Sequence, residues 1–543
     1  MPGGLRLFHR PPNPAPARTT GQHRHPAILT IPGGLQPHRP HLTWRPTLLL
    51  DAVPYLLLGV FLATGVAVIP GLGGSFALAV LLPFLLRLDP VAGIVTMMAM
   101  AAVSGTGNTI TSVLFGIPGS ASGVVSTFDG FPMTQRGEGV RAVAAGLSAS
   151  MVGGLIGALV LGASLPVLRP LVLALRPPEL FALIVLSLVF MSFVAGADRL
   201  KALLSALLGV MLSFIGMEAS TASQRWTFGD LRLWDGLQLV PVLLGVYAVA
   251  EMVFLMRRGG AIAHRPQQQR PLRQLLVGVR DTAHHWFAVL QSAAAGLWVG
   301  IAPGMGDIAA QFIGYSQVAR TSKRGHLFGT GEVEGVIAAD AATNSKEGGA
   351  LIPTLAFGIP GSSGMAIILA GLLAFGVQPG PAMLVEHVDL VWLIIWVLAF
   401  ANILGALLCM GITPLLAKVT NLRGSLIVAP ILVLSLLGSY SVRGTYLDVV
   451  TMLAFGVVGV MLKEFGYSRP LFLVGFVLGP LLERNYLLAS RLFGPSFLLR
   501  PVVVVLLVIA VAAICWPLVV SRVRRVLRAR EVTARRRSGN VPR

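Results

Sequence analysis

Cysteine is nearly missing from this chain. The two present, Cys409 and Cys515, both fall inside apolar runs, which excludes a disulfide framework and a cysteine-rich metal cluster. Charge is scarce too: 12% of residues are charged against 55% hydrophobic, a balance that excludes a soluble multidomain protein. Acidic residues are the rarer sign, 22 against 42 Lys and Arg, leaving a formal net charge of +20. No aromatic-interleaved basic stripe or zinc spacing accompanies that excess, so nucleic acid is set aside as a partner. The arginines gather in loops and at the C-terminus, as charge that orients membrane segments does.

What the 543 residues do hold is apolar sequence of bilayer-spanning length, cut by 62 glycines and 36 prolines. Roughly ten to twelve crossings fit. Residues 1–46 are rich in Pro, His and Arg and have no apolar core of a signal peptide, so they read as a disordered basic extension. A misassigned start is the alternative, and it would need a non-Met codon, because the next methionine is Met97.

One hexapeptide occurs twice. Phe115-Gly116-Ile117-Pro118-Gly119-Ser120 returns letter for letter as Phe357-Gly358-Ile359-Pro360-Gly361-Ser362. Proline removes a backbone donor and glycine lowers helix propensity, so each copy is expected to end one half-helix, with Ser120 or Ser362 capping the next. Bare backbone at membrane depth is tolerated only where protein or a watery cavity covers it, and two matching elbows point to a solute site.

The order of motifs is duplicated around the elbows. Pro70-Gly71-Leu72-Gly73-Gly74 closes the first apolar segment, and Pro303-Gly304-Met305-Gly306 closes the segment from Trp286 to Ala302. The expected parts are a first membrane repeat over 47–256, a cytoplasmic linker over 257–285, a second repeat over 286–520 and a basic cytoplasmic tail over 521–543. Arg136 and Arg141 follow the first elbow, whereas Glu386 and Asp389 follow the second with no Lys or Arg between Glu347 and Ala417. The two loops should therefore face opposite sides, giving an all-α polytopic fold of two inverted repeats with broken or re-entrant helices. This topology places the basic N-terminal stretch outside, against the charge rule.

Four passages together resemble the large permease subunit of the tripartite tricarboxylate transporters. They are Ile69-Pro-Gly-Leu-Gly73; Thr111-Ser-Val-Leu-Phe-Gly-Ile-Pro-Gly-Ser120 with Asp129-Gly-Phe-Pro-Met133 and Arg136-Gly137; Pro303-Gly-Met-Gly-Asp307; and Gly348-Gly-Ala-Leu-Ile-Pro-Thr354 with Gln378-Pro-Gly-Pro381. The likeness covers nearly the whole chain after about Leu48. It departs where this chain has Thr106-Gly-Asn-Thr-Ile-Thr-Ser112 and Ala339-Asp-Ala-Ala-Thr-Asn344. The resemblance implies a bacterial inner-membrane symporter that imports organic acids such as citrate with an ion gradient. It also implies two partners, a small four-helix membrane subunit and a periplasmic solute-binding protein.

A carboxylate substrate needs donors, and a half-helix N-terminus offers free N–H groups at a positive dipole end. Gly119, Ser120 and Ser122 in one half and Gly361, Ser362 and Ser363 in the other are the substrate candidates. The plain alternative is that these small residues only let helices approach closely. Thr109, Thr111, Ser112 and Thr354 would add hydroxyls to the same cavity, or else bond their own helix backbone. Asn108, Asp307, Asp340 and Asn344 are the candidates for a coupling Na⁺, with H⁺ as the other option, because ionisable groups in apolar surroundings mark pathways. Asp307 also reads as an interfacial N-cap. Lys346 and Glu347 read as a pair in a loop, the alternative being two charges that neutralise each other at a cavity edge.

Two rivals remain. Gly304-Met305-Gly306-Asp307 and Gly361-Ser362-Ser363-Gly364 fit short patterns of intramembrane aspartyl and serine proteases, but no second carboxylate other than Asp340 and no well-placed histidine base accompanies them. An anion channel is the other, and two elbows inside one chain favour alternating access over a filter on an oligomer axis.

Overall fold

The computed structural model describes residues 47–67, 69, 72–118, 123–194, 198–218, 223–258, 271–302, 306–416 and 425–514. The first half holds α1 (Thr47–Ala67), α2 (Gly74–Leu85), α3 (Pro90–Phe115), α4 (Ser126–Gln135), α5 (Gly139–Ala174), α6 (Pro177–Val194) and α7 (Arg199–Ser213). A minimal antiparallel hairpin follows, β1 (Gly216–Met217) on β2 (Gln224–Arg225), with Gly216 opposite Arg225. Then α8 (Leu239–Leu243) runs through a π-helical turn, Leu244–Val249, into α9 (Ala250–Arg258).

Within the expected linker, Pro271–His284 forms α10, which is tied to α5 by an Arg141–Asp281 ion pair of 2.6 Å. The second half is α11 (Trp286–Ile301), α12 (Gly306–Thr321), α13 (Val333–Phe357), α14 (Ser363–Ala374), α15 (Pro381–Glu386), α16 (Val388–Leu416), α17 (Ser425–Arg443), α18 (Tyr446–Glu464) and α19 (Arg469–Phe493). A last apolar helix spans Pro501–Ile514.

The duplication in the sequence reappears as packing. Helix α1 lies on α3 as α11 lies on α13, and α2 lies on α3 as α12 lies on α13. The halves then exchange partners: α5 packs on α13 while α16 packs on α3, and α4 packs on α13 while α14 packs on α3. Each broken helix is thus enclosed by elements of both halves.

Both elbows end their helix in the same way. Gly116 (φ +66°) and Gly358 (φ +69°) sit in the left-handed region, which a side chain would disfavour. In the first, the N–H of Gly116 returns to Ser112 O and that of Ile117 to Thr111 O, at 3.1 and 3.4 Å. In the second, the N–H groups of Gly358 and Ile359 return to Thr354 O and Pro353 O, at 3.1 and 3.2 Å. The carbonyls left over at a helix end are satisfied this way. After the second elbow Ser362 caps α14, its Oγ accepting the Met365 N–H at 3.3 Å, as expected from the sequence.

Among the described residues, seven helices are long and apolar enough to cross a bilayer, and shorter apolar helices accompany them, Gly74–Leu85, Trp286–Ile301 and Ser363–Ala374 among them. Pro-Gly passages adjoin these three, at Pro70-Gly71, Pro303-Gly304 and Pro360-Gly361, so apolar runs counted along the chain do not each become a full-length helix. Elsewhere helices outrun their apolar runs. Helix α5 continues through Pro166 and Pro170 to Ala174, and α19 continues past Leu482 to Phe493, where Glu483 pairs with Arg225 of β2. Helix α13 is absent from the seven despite its 25 residues, because Glu334, Asp340, Lys346 and Glu347 lie along it.

Candidate functional site

Helix α13 is polar and yet deeply enclosed, a combination that requires close backbone approach. Glycines provide it. A methyl carbon at Gly348 would lie 2.4 Å from the carbonyl carbon of Gly157 on α5, one at Gly153 2.3 Å from Ala341 O, and one at Gly296 on α11 2.3 Å from Ala342 O. Small residues that let backbones touch in this way are the usual basis of tight helix packing in membranes.

Inside that packing lies a buried polar seam. Asp340 and Asn344 stand one turn apart on α13, a spacing that puts both on one face. Asp340 Oδ1 accepts from the Ser126 hydroxyl of α4 at 2.7 Å. The Asn344 amide donates to Thr106 Oγ1 of α3 and to Asn402 Oδ1 of α16, both at 2.7 Å. Gln311 of α12 adds a third link, donating to Thr343 Oγ1 at 2.8 Å and accepting from the Val125 N–H at 3.2 Å. Four helices of both halves therefore meet on two turns of α13.

Several oxygens in the seam lack a partner among the described residues: Asp340 Oδ2, Asn344 Oδ1, Thr109 Oγ1 and Ser112 Oγ. Thr109 is the neighbour of Asp340 Oδ2, but hydroxyl and carboxylate form no well-aligned hydrogen bond. Room for these atoms comes from glycine. A methyl carbon at Gly146 would lie 2.1 Å from Asp340 Oδ2 and 2.8 Å from Thr109 Cγ2. At Gly105 it would lie 2.7 Å from Asn344 Oδ1, and at Gly123 2.2 Å from Ser112 Oγ and 3.5 Å from the backbone oxygen of Asn108. A cluster of acceptors with a buried carboxylate and unmet valence suits a cation, because each such oxygen is costly unless something positive or protic meets it.

The substrate candidates divide between two places. Thr109 and Ser112 sit in this seam, in the last turns of α3 before the first elbow. Gly361, Ser362 and Ser363 lie elsewhere: a methyl carbon at Gly361 would lie 3.0 Å from Ala350 Cβ and 3.2 Å from Gly300 O of α11, and one at Gly364 3.5 Å from Ser75 Oγ of α2. Ten residues of α13 separate Asp340 from Ala350, about 15 Å along the axis at the helical rise of about 1.5 Å per residue. Thr354 is farther still, and its hydroxyl bonds the Ala350 carbonyl at 2.6 Å. Thr111 likewise bonds the Asn108 carbonyl at 3.1 Å. For those two the own-helix reading holds; for Thr109 and Ser112 no own-helix bond forms.

Of the remaining candidates, Gly119, Ser120 and Ser122 lie outside the described residues. Asp307 falls at the start of α12, with its side chain also outside them. The pair Lys346 and Glu347 corrects the sequence reading: it belongs to no loop but to the middle of α13, where Lys346 is 1% and Glu347 13% exposed.

Sequence reasoning passed over Ser126, Gln311 and Asn402. Asn402 had a signal, as a lone amide in the apolar 29-residue α16; a serine after an elbow has none. It also left Asp129 without a role beyond its motif. Buried Asp129 Oδ1 accepts the N–H groups of Gly329 and Gly331 at 2.8 Å and of Glu332 at 2.9 Å, and Oδ2 accepts from the Tyr315 hydroxyl at 2.8 Å. Arg136 donates to Thr330 O in the same loop. Asp129-Gly-Phe-Pro-Met133 and Arg136 thus fasten the loop that leads into α13.

Fold and seam define an all-α polytopic membrane protein with a polar interior built jointly by two related halves. The profile of the Tripartite tricarboxylate transporter TctA family matches residues 53–474, and the chain belongs to that family. It is 30% identical over 482 residues, 86% of this chain and 93% of the other, to an Agrobacterium vitis protein described as "Uncharacterized 52.8 kDa protein in TAR-I ttuC' 3'region". A second protein of that organism, "Uncharacterized protein in TAR-II ttuC' 3'region", is 31% identical over 229 residues, 42% of this chain and 95% of its own length. No solved structure matches. Membership of a transporter family gives no support to the protease and channel alternatives.

Proposed function

We infer that this chain is the large permease subunit of a secondary transporter that imports organic acids, tricarboxylates or their relatives, across a bacterial inner membrane with a cation gradient. The observation that carries the reading is Asp340, a carboxylate buried between the halves with one oxygen on Ser126 and the other beside Thr109 with no aligned hydrogen bond among the described residues. A cation, Na⁺ or H⁺, entering beside Asp340, Thr109, Asn108 and Asn344 would neutralise that charge. Loading would then favour one arrangement of the two halves over the other, which is what coupling requires.

The acid is delivered by a periplasmic binding protein, and a small four-helix subunit completes the complex. These partners follow from the tripartite character of the family. The capped start of α14, at Gly361, Ser362 and Ser363, supplies N–H donors for one carboxylate, and Gly119, Ser120 and Ser122 are its counterparts in the first half. The C-terminus is cytoplasmic.

The test is uptake of radiolabelled citrate and related acids into proteoliposomes holding all three components, with and without a Na⁺ or proton gradient. Accumulation that needs a gradient, with trans-acceleration by unlabelled acid, supports the reading. Accumulation without any gradient, or flux with no trans-acceleration, would end it.

A further inference from the structure

A cavity of about 730 Å³ lies between the end of α7, the β1–β2 hairpin and the second half of α19, and it shares no residue with the polar seam. That volume suits a small ligand or a lipid headgroup. Among the described residues, its walls carry three arginines, Arg225, Arg484 and Arg491, and three carboxylates, Glu218, Asp235 and Glu483. Arg225 and Glu483 are engaged with each other, joining β2 to α19. Without that pair the walls still hold two charges of each sign. Arg484 donates to the Gln378 side chain at 3.1 Å, a neutral acceptor that leaves the guanidinium charge to be met. Trp234 also lines the cavity, and its indole N–H is buried with no acceptor among the described residues. A buried indole donor ordinarily finds one. Met217 and Leu488 add an apolar rim, 44% and 39% exposed.

Depth selects the kind of ligand. Arg469 opens α19, and its guanidinium binds Glu251 of α9 at 3.1 Å, at a level where Lys463 and the Arg257–Glu464 pair also gather. Such a belt of charge marks one membrane boundary. From Arg469, Arg484 and Arg491 stand about 22 and 33 Å along the helix at a rise of about 1.5 Å per residue. The span Leu239–Arg257 begins just past Leu237 of the cavity wall and leads to the same charged level. A hydrocarbon layer is about 30 Å thick. The cavity therefore opens at the opposite boundary, where phospholipid phosphates lie.

We propose that this cavity binds a phosphate ester that also carries a primary ammonium, the headgroup of an aminoethyl phospholipid. The phosphate oxygens meet Arg484, Arg491 and the Trp234 indole N–H, the ammonium meets Asp235 and Glu218, and the acyl chains leave over Met217 and Leu488. Both charges of the headgroup are then matched. A headgroup with a negative charge alone would leave the carboxylates facing it, and a quaternary amine has no N–H to give them. The site stands whether or not the transport reading above does.

The full chain, purified in detergent and stripped of lipid, is titrated with phosphatidylethanolamine, phosphatidylglycerol, phosphatidylcholine and free phosphoethanolamine. Native mass spectrometry and thermal stabilisation read the binding. Phosphatidylethanolamine is expected to bind at least about tenfold more tightly than the other three. Arg484→Gln weakens it about tenfold, and Asp235→Asn erases its advantage over phosphatidylglycerol. Both residues are exposed, so the melting temperature without lipid stays as in the parent. Equal binding of phosphatidylglycerol or phosphatidylcholine would overturn the proposal, as would unchanged affinity in Arg484→Gln. Equal stabilisation by free phosphoethanolamine would mark a soluble ligand and overturn the lipid assignment. The four ligands are compared on the unaltered chain, so they decide even where a variant fails to fold.

Discussion

The Ser126 hydroxyl of the first half donates to the Asp340 carboxylate of the second at 2.7 Å, across 214 positions of sequence. This bond joins the helix that follows one elbow to the helix that precedes the other. A movement that separates α4 from α13 would break it, and a cation placed on Asp340 Oδ1 would compete with it.

Asp340→Asn keeps the shape of the side chain and removes its charge. Uptake is expected to fall at least about tenfold and to lose its dependence on the driving cation, while membrane insertion stays intact. Ser126→Ala removes one charge-assisted hydrogen bond and should shift the cation concentration for half-maximal uptake by about tenfold. Uptake titrated with Na⁺ at several pH values reads both; an unaltered cation dependence in Asp340→Asn would remove Asp340 from coupling.

Asp129 is satisfied by four donors from 315–332, so its role is mechanical. Asp129→Ala leaves three N–H groups without their acceptor and should destabilise the protein by about 3 kcal/mol or more, and Tyr315→Phe by about 1.5 kcal/mol. Thermal unfolding in detergent and proteolysis of the loop before α13 measure the effect. A stable Asp129→Ala protein with an intact loop would contradict it.

At Gly348 a methyl carbon would meet Gly157 backbone at 2.4 Å, whereas at Gly411 in α16 it meets nothing within 4 Å. Gly348→Ala must push α5 and α13 apart and is expected to cost about 1–3 kcal/mol. Gly411→Ala serves as the control, neutral or stabilising by up to about 1 kcal/mol through helix propensity. Equal melting temperatures for the two variants would refute the packing account.

Ser362 separates cap from charge. Ser362→Ala loses the bond to the Met365 N–H and should cost about 1 kcal/mol, with weaker substrate binding, most of all when combined with Ser120→Ala. Ser362→Asp keeps an N-cap and places a negative charge where the acid's carboxylate would sit. Its stability should match the parent while its KM rises at least about tenfold. An unchanged KM in Ser362→Asp would take the start of α14 out of the substrate path.

Much of this protein could be read from its letters because the deciding effects are local. A glycine of low helix propensity, a proline without a donor and a serine that caps act within four or five residues, so both helix breaks and the Ser362 cap could be placed before any coordinates, while the positive φ of Gly116 and Gly358 came with the structure. Long apolar runs and scarce charge likewise determine a membrane protein, since bilayer thickness sets their length. Which polar side chains meet was settled only by packing. Asp340, Ser126, Thr106 and Asn402 come from four helices of two halves, and no spacing along the chain encodes their convergence. The same holds for Lys346 and Glu347, whose two charges suggest a loop by composition. Enclosure by α5 and α11 makes them part of a buried helix, because contacts between distant segments, summed over the whole helix, outweigh the preference of a single charged pair for water.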